Sequence, residues 1–160
     1  MTARAKVLTV SDGVAEGTRD DKSGRALVEH LAAAGYEVVA HEVTADGADR
    51  VASALRGLCA GFTGVVVTTG GTGFGPRDLT PEGTRAVIER EAPGLAEAMR
   101  VASNADGRPF GMLSRGVCGT LGAALVCNLP GSASGAIEGL DVLLPILPHA
   151  LELLAGGRPH

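Results

Sequence analysis

Apolar and polar positions along this chain switch repeatedly between a period of two and a period near 3.6, which predicts strands and helices in alternation. Residues 4–11, Arg-Ala-Lys-Val-Leu-Thr-Val-Ser, read as a strand that stops at Ser11-Asp12-Gly13. A polar stretch, 14–22, gives way at Ser23-Gly24 to a helical stripe of Leu27, Val28, Leu31 and Ala32, closed by Gly35. A second strand runs from Tyr36 to Thr44, followed by the turn Thr44-Ala45-Asp46-Gly47 and a helix whose buried face is Ala48, Val51, Ala52, Leu55 and Leu58. The β-branched run 63–69 is the third strand. Beyond it Thr80 is the expected N-cap, with Pro81 at the first helical position and Glu82 near the positive helix end. That helix carries Ala86, Val87 and Ile88. Pro93 starts another with Leu95, Ala96, Met99 and Ala102, and 104–109 read as a loop. Two short strands, about 117–121 and 124–129, flank a turn or bulge at Gly122. A final apolar stripe from Ile137 to Leu154 must be broken into two pieces by Pro145 and Pro148.

This order predicts an α/β fold of three layers, a mainly parallel sheet with helices on both faces and right-handed crossovers. With no internal repeat or linker, residues 1–160 are expected to form a single domain. In such sheets ligands bind beyond the C-terminal strand ends. Four polar or glycine motifs fall there: Ser11-Asp12-Gly13, Asp46-Gly47, Thr69-Gly70-Gly71-Thr72-Gly73 and Asn128-Leu129-Pro130-Gly131-Ser132. Each one alone also reads as a connection that needs glycine for its geometry. Together they predict one shared edge and one crevice.

Composition narrows the partner. The chain has a formal net charge of −4 and no Lys/Arg run interleaved with aromatics, which argues against a nucleic-acid surface. An acidic protein can still hold a small anion through local N–H groups, a few Arg side chains and a cation. Aromatics are 2% of residues, so the core must be aliphatic, and the 24 glycines sit in short loops rather than in one tract. Cys59, Cys118 and Cys127 are odd in number and lack CxxC spacing, which favours reduced, buried thiols over disulfides or zinc. A strand begins within a few residues of the N-terminus, there is no signal-peptide layout, and no apolar run approaches the ~18 residues of a membrane span. A cytoplasmic protein without membrane contact is expected.

The glycine loop fails two familiar phosphate patterns. It lacks the Lys-Ser/Thr ending of a Walker A loop, and Pro76 breaks the dinucleotide fingerprint. Its glycines and the hydroxyls of Thr68, Thr69 and Thr72 nevertheless suit phosphate. Asp78 and Asp46 are the carboxylates placed to hold Mg²⁺ at that edge. Asp78 has a local alternative, facing the following helix dipole or pairing with Arg77, and Asp46 reads equally as a turn residue before glycine. Ser114-Arg115 offers a hydroxyl and a guanidinium suited to a terminal phosphate, or Arg115 serves a salt bridge. No catalytic nucleophile stands out, and His30, His41, His149 and His160 read as surface or helix-face residues. Phosphoryl or nucleotidyl transfer needs no such nucleophile, because it depends on positioning, backbone donors and a metal.

Thr68-Thr69-Gly70-Gly71-Thr72-Gly73, Arg77-Asp78-Leu79-Thr80-Pro81-Glu82, Met112-Leu113-Ser114-Arg115-Gly116 and Asn128-Leu129-Pro130-Gly131-Ser132 stand in order and at spacing that resembles the MogA/MoaB family of molybdenum cofactor biosynthesis proteins. The resemblance covers about residues 4–155, and the segment 109–115 is also similar to the G domains of plant and animal homologues. It implies the three-layer fold of that family and adenylylation of molybdopterin by Mg-ATP, with release of pyrophosphate. Carried over by position, Asp78 and Asp46 become catalytic and metal-holding residues. Ser11, Asp12 and Gly13 with Thr69, Gly70, Gly71, Thr72 and Gly73 line the nucleotide and phosphate region, and Ser114, Arg115, Asn128, Pro130, Gly131 and Ser132 the molybdopterin region. The resemblance further implies Mg²⁺, ATP as co-substrate, a homotrimer or hexamer, and contact with other enzymes of the pathway. It leaves open a non-catalytic molybdopterin-binding carrier or scaffold. The chain departs from the common family pattern at Ala45, at Gly47 and at Gly122-Ala123.

Overall fold

The computed structural model describes residues 2–105 and 107–160, so Asp106, in the predicted loop 104–109, lies outside the described residues. Strands β1 (Arg4–Val10), β2 (Glu37–Thr44), β3 (Gly64–Thr69), β4 (Arg90–Glu91), β5 (Cys118–Leu121) and β6 (Ala124–Leu129) form one sheet in the order β2-β1-β3-β6-β5-β4. The pairs β1–β2, β1–β3 and β3–β6 are parallel, while β5 runs antiparallel to both β6 and β4. The mainly parallel sheet read from the sequence is therefore present, with an antiparallel extension on one side. Every residue of β3 is buried, as a central strand covered on both faces requires.

Alternation along β3 divides the core. Val65 and Val67 face one layer, made by helices α2 (Lys22–Ala33), α5 (Pro93–Ser103), α6 (Ala133–Leu143) and α7 (Leu147–Leu154). Val66 faces the other, where α3 (Ala48–Cys59) supplies Val51, Leu55 and Leu58 and Val87 follows α4 (Thr80–Arg85). Leu27, Leu31, Leu140, Leu143 and Leu147 are all inaccessible to solvent in the first layer. Such aliphatic side chains contribute roughly 1.5–3 kcal/mol each on burial, so a core almost without aromatics is sufficient.

Several boundaries differ from the sequence pattern for identifiable reasons. A one-turn helix, α1 (Asp12–Ala15), runs into the polar stretch 14–22, and α2 begins at Lys22 because the Asp21 carboxylate caps it, accepting from the Gly24 N–H at 2.9 Å. Thr80 is not a side-chain N-cap: Leu79 occupies that position, and the Thr80 hydroxyl donates instead to the Gly70 carbonyl at 2.8 Å. Ala86, Val87 and Ile88 lie beyond the end of α4, and two elements absent from the pattern appear, the two-residue β4 and a 3-10 turn at Pro109–Leu113. Pro145 separates α6 from α7, whereas Pro148 sits in the first turn of α7, where its missing N–H costs nothing.

Helices α3 and α4 meet at Gly83, where an added Cβ would stand 2.6 Å from the Ala48 carbonyl oxygen and 2.7 Å from the Val51 Cβ. Alanine would gain about 1 kcal/mol of helix propensity there, but overpacking a tight contact costs ~1–3 kcal/mol. Gly83→Ala is expected to lower the thermal midpoint, and a raised midpoint in a melting curve would contradict this packing.

Candidate functional site

The chain leaves β1 toward β2 on one side and returns to β3 on the other, so the loops after β1 and β3 diverge and open a crevice between them. A cavity of about 570 Å³ occupies that crevice. Of the residues expected from the sequence, Ser11, Asp46, Thr69, Gly70, Gly71, Asp78, Gly131 and Ser132 line it. A second cavity of about 280 Å³ lies alongside, bordered by Thr72, Gly73, Ser114, Asn128, Pro130 and again Ser132. The glycine loop is thus a partition, with Gly70 and Gly71 on one side and Thr72 and Gly73 on the other. Asp12, Gly13 and Arg115, also expected at the site, line neither cavity.

The partition is held by its carbonyls. Gly70 N–H donates to the Leu129 carbonyl at 3.3 Å, Thr80 N–H to the Gly71 carbonyl at 3.1 Å and Arg115 N–H to the Thr72 carbonyl at 3.0 Å. The Thr69 hydroxyl donates to the Pro130 carbonyl at 2.6 Å, tying the loop after β3 to the loop after β6. Gly70 and Gly71 have φ of +102° and +69°, and a Cβ on Gly70 would stand 2.2 Å from the Val10 carbonyl oxygen. Only glycine satisfies both conditions. Among the described residues no acceptor meets the N–H groups of Gly71, Thr72 and Gly73, which leaves them for an anion in either cavity.

Four charged residues organise the other wall. Asp12 N–H donates to Asp46 Oδ2 at 2.8 Å and Asp46 N–H returns a bond to Asp12 Oδ1 at 3.1 Å, clasping the loops after β1 and β2. Arg77 grips the Asp12 carboxylate through Nε and Nη2, and Nη2 also donates to the Asp46 carbonyl at 3.1 Å. That bidentate grip holds the Asp12 carboxyl below its ordinary range and raises Arg77 further. Arg77 therefore pairs with Asp12, while the Asp78 carboxylate accepts the Gly75 N–H at 2.9 Å. Asp46 is pushed above its ordinary value, first by burial and then by the charges of Asp12 and Asp78, against the opposing Asp12 amide and Arg77.

The donor set fits a hard divalent cation. Asp46 and Asp78 line one cavity, and each commits one oxygen to a main-chain amide and leaves the other without a partner among the described residues. No group of three or more His, Cys, Asp or Glu gathers to hold a metal among the described residues. Two carboxylates completed by phosphate and water are what Mg²⁺ accepts.

Arg115 takes the salt-bridge role. Its guanidinium donates to the Gly73 carbonyl at 2.9 Å, the Asp78 carbonyl at 2.6 Å and Glu82 Oε2 at 2.7 Å, bracketing the loop that carries Asp78. The same contact lowers the Glu82 carboxyl. Asn128 is also turned inward, with Nδ2 donating to the hydroxyls of Thr68 and Thr84, both at 3.0 Å, and Oδ1 accepting the Val117 N–H at 3.0 Å.

The sequence pattern did not single out Arg19 and Asp20, which line the larger cavity from the segment before α2, or Lys22 and Ser23, which line it from the first turn of α2. The signal was present in Asp21, three residues before Gly24, which is a capping arrangement. His41, read as a surface residue, joins the same anchor: its Nε2 lies 3.0 Å from both the Thr9 hydroxyl and the Asp21 carboxylate. Met99, Arg100 and Glu138 border the smaller cavity from α5 and α6, and only the crossing of those helices reveals it.

Fold and site together define an open α/β sheet protein with paired cavities at the carboxyl ends of its parallel strands. A family described as the probable molybdopterin binding domain matches residues 6–149, and the chain belongs to that family. It is 35% identical over 158 residues to the molybdopterin adenylyltransferase of Helicobacter pylori strain J99, covering 97% of this chain and 89% of that protein. The molybdopterin biosynthesis enzyme MoaB of Thermus thermophilus superposes with a TM-score of 0.88 at 45% identity, covering 98% of each chain. The chain is also 37% identical to the molybdenum cofactor biosynthesis bifunctional protein of Chlorobaculum tepidum over 96% of its own length, but spans only 49% of that relative. Among the described residues, no helix is long and apolar enough to cross a membrane.

Asn128 links β6, β3, α4 and the segment before β5 through one buried amide. Asn128→Ala leaves the Val117 N–H without an acceptor, at about 1–3 kcal/mol for an unsatisfied buried group. The urea midpoint is expected to fall accordingly, and an unchanged midpoint would remove Asn128 from this role.

Proposed function

We propose that residues 1–160 act as one molybdopterin-binding domain that adenylylates molybdopterin at the expense of Mg-ATP. The observation that carries this reading is the pair of adjoining cavities separated by a loop with free amides, with Asp46 and Asp78 in the larger one. In this reading the pterin occupies the smaller cavity, lined by Ser114, Pro130 and Ser132, and ATP the larger. The terminal phosphate of molybdopterin reaches the partition from one side and the ATP α-phosphate from the other. A phosphate oxygen then forms a bond to the α-phosphorus as the bond to the pyrophosphate oxygen breaks. Adenylyl-molybdopterin and pyrophosphate result.

Each protein group has a task in that reading. The N–H groups of Gly71, Thr72 and Gly73 meet the charge that builds on the phosphoryl oxygens. Arg115 fixes the carbonyls of Gly73 and Asp78 and so sets the carboxylate against the loop. Asp46 and Asp78 would hold Mg²⁺, which when bound would neutralise phosphate charge. A deprotonated phosphate is already nucleophilic, so the lack of a Ser-His or Cys-His pair at the site is no obstacle. The name of the Helicobacter pylori relative supports the same activity. A carrier that only binds molybdopterin would use the same cavities but has no task for two carboxylates in the larger one.

The reading also takes the protein as cytoplasmic and as a homotrimer or hexamer. Phe74 and Met112 are each about 70% exposed, and large apolar side chains of that kind suit burial against another copy.

Asp78→Asn is expected to slow adenylyl-molybdopterin formation on the order of a hundred- to a thousandfold while molybdopterin binding persists. Pyrophosphate release at the wild-type rate would remove Asp78 from catalysis, and binding without turnover in the wild type would favour the carrier. Chelating Mg²⁺ is expected to abolish turnover. Because Asp46 must be ionised to hold a cation and its folded value lies above 3.8, Mn²⁺ binding should weaken as pH falls through that raised value. Mn²⁺ affinity that is independent of pH across the carboxylate range, or unaltered in Asp46→Asn, followed by paramagnetic relaxation, would show that Asp46 is not a ligand.

A further inference from the structure

The smaller cavity holds one carboxylate that the proposed transfer does not use. Glu138 borders it from α6 and has no hydrogen-bond or ion-pair partner among the described residues. Across the cleft stands Arg100 on α5, whose Nη1 already donates to the carbonyls of Ser114 and Gly116, at 3.4 and 3.0 Å. Met99, Phe110, Leu113 and Pro130 add apolar side chains to the cleft, beside the hydroxyls of Ser103, Ser114 and Ser132. A half-buried carboxylate with no protein partner leaves both its oxygens for a ligand that supplies donors.

We infer that Glu138 reads the amino-pyrimidinone edge of the pterin ring. The inference rests on the placement of molybdopterin in this cavity and adds what selects the ring. A pterin presents an exocyclic amino group and a ring N–H side by side, two donors that match the two acceptor oxygens of one carboxylate. At about 280 Å³ the cavity suits a flat bicyclic ring better than a whole nucleotide. Met99 and Phe110 offer apolar and polarizable surface to its faces. Glu138 lies within α6, whose first turn is capped by the Ser132 hydroxyl accepting the Gly135 N–H at 3.1 Å, so its backbone is set relative to the loop that carries Pro130 and Ser132.

Lumazine separates this role from mere packing, because it replaces the amino group of pterin with a carbonyl and so sets an acceptor against the carboxylate. Pterin and lumazine are titrated against the intact protein by ring fluorescence, and ATP affinity is measured in parallel. Wild type is expected to prefer pterin by roughly 10- to 150-fold, the range for a hydrogen bond to a charged group. Glu138→Gln should lose most of that preference, and Glu138→Asp, with its carboxylate withdrawn, should weaken pterin binding while still disfavouring lumazine. ATP affinity should not change in either variant. A wild-type preference that survives intact in Glu138→Gln, or equal binding of the two rings by wild type, would overturn the role of Glu138 and leave the cavity assignment standing. If wild type binds neither ring, the placement of the pterin itself falls, and with it this inference. Loss of ATP affinity in both variants would show collapse of the cleft and overturn the assignment.

Discussion

The close approach of the Gly70 backbone to the end of β1 is the constraint on which the rest of the site depends. With 2.2 Å between an imagined Gly70 Cβ and the Val10 carbonyl oxygen, the loop after β3 can lie in the crevice only as bare main chain. Once it lies there, its carbonyls are taken by Thr80 and Arg115, and the amides of Gly71, Thr72 and Gly73 are left over. A peptide unit whose acceptor side is satisfied and whose donor side is not behaves as a fixed partial positive charge. An acidic protein gains in this way an anion-binding surface that requires no excess of Lys or Arg.

The acid wall opposite that surface is stable for a related reason. Asp12, Asp46 and Asp78 would repel one another if left alone, and burial raises Asp46 further. Arg77 neutralises one of these charges by gripping Asp12 and also donates to the Asp46 carbonyl, and the reciprocal amide bonds between Asp12 and Asp46 satisfy two of the carboxylate oxygens. Residual negative potential is then concentrated on Asp46 and Asp78, inside the larger cavity. The two walls meet a phosphate-bearing ligand with donors on one side and a cation-holding pair on the other. The third wall, in the smaller cavity, is mainly apolar with one free carboxylate, which suits a ring better than a phosphate.

Much of this was legible along the chain. Strand and helix periods identified the long elements, and the glycine and acidic motifs at the strand ends predicted a shared edge because parallel strands place their C-termini together. Local signals were weaker where two demands compete for one residue. Thr80 resembles an N-cap, but its hydroxyl is drawn to the Gly70 carbonyl, and Arg115 resembles a phosphate ligand, but three protein acceptors already occupy it. Lys22, His41 and Glu138 carried no pattern of their own. Their surroundings come from elements distant in the chain: Asp21 and Thr9 for His41, and α5 for Glu138.

The sequence by itself determined the long strands and helices and the glycine-bearing loops between them, since these follow from the period of burial and from local sterics. It also determined that three acids and a glycine loop would meet at one sheet edge. Only the tertiary structure decided which polar groups remain free to meet a ligand. Freedom is what is left after every nearby donor and acceptor has been paired, and that count depends on partners such as Arg115 for Gly73 and Thr84 for Asn128, which stand 42 and 44 residues away.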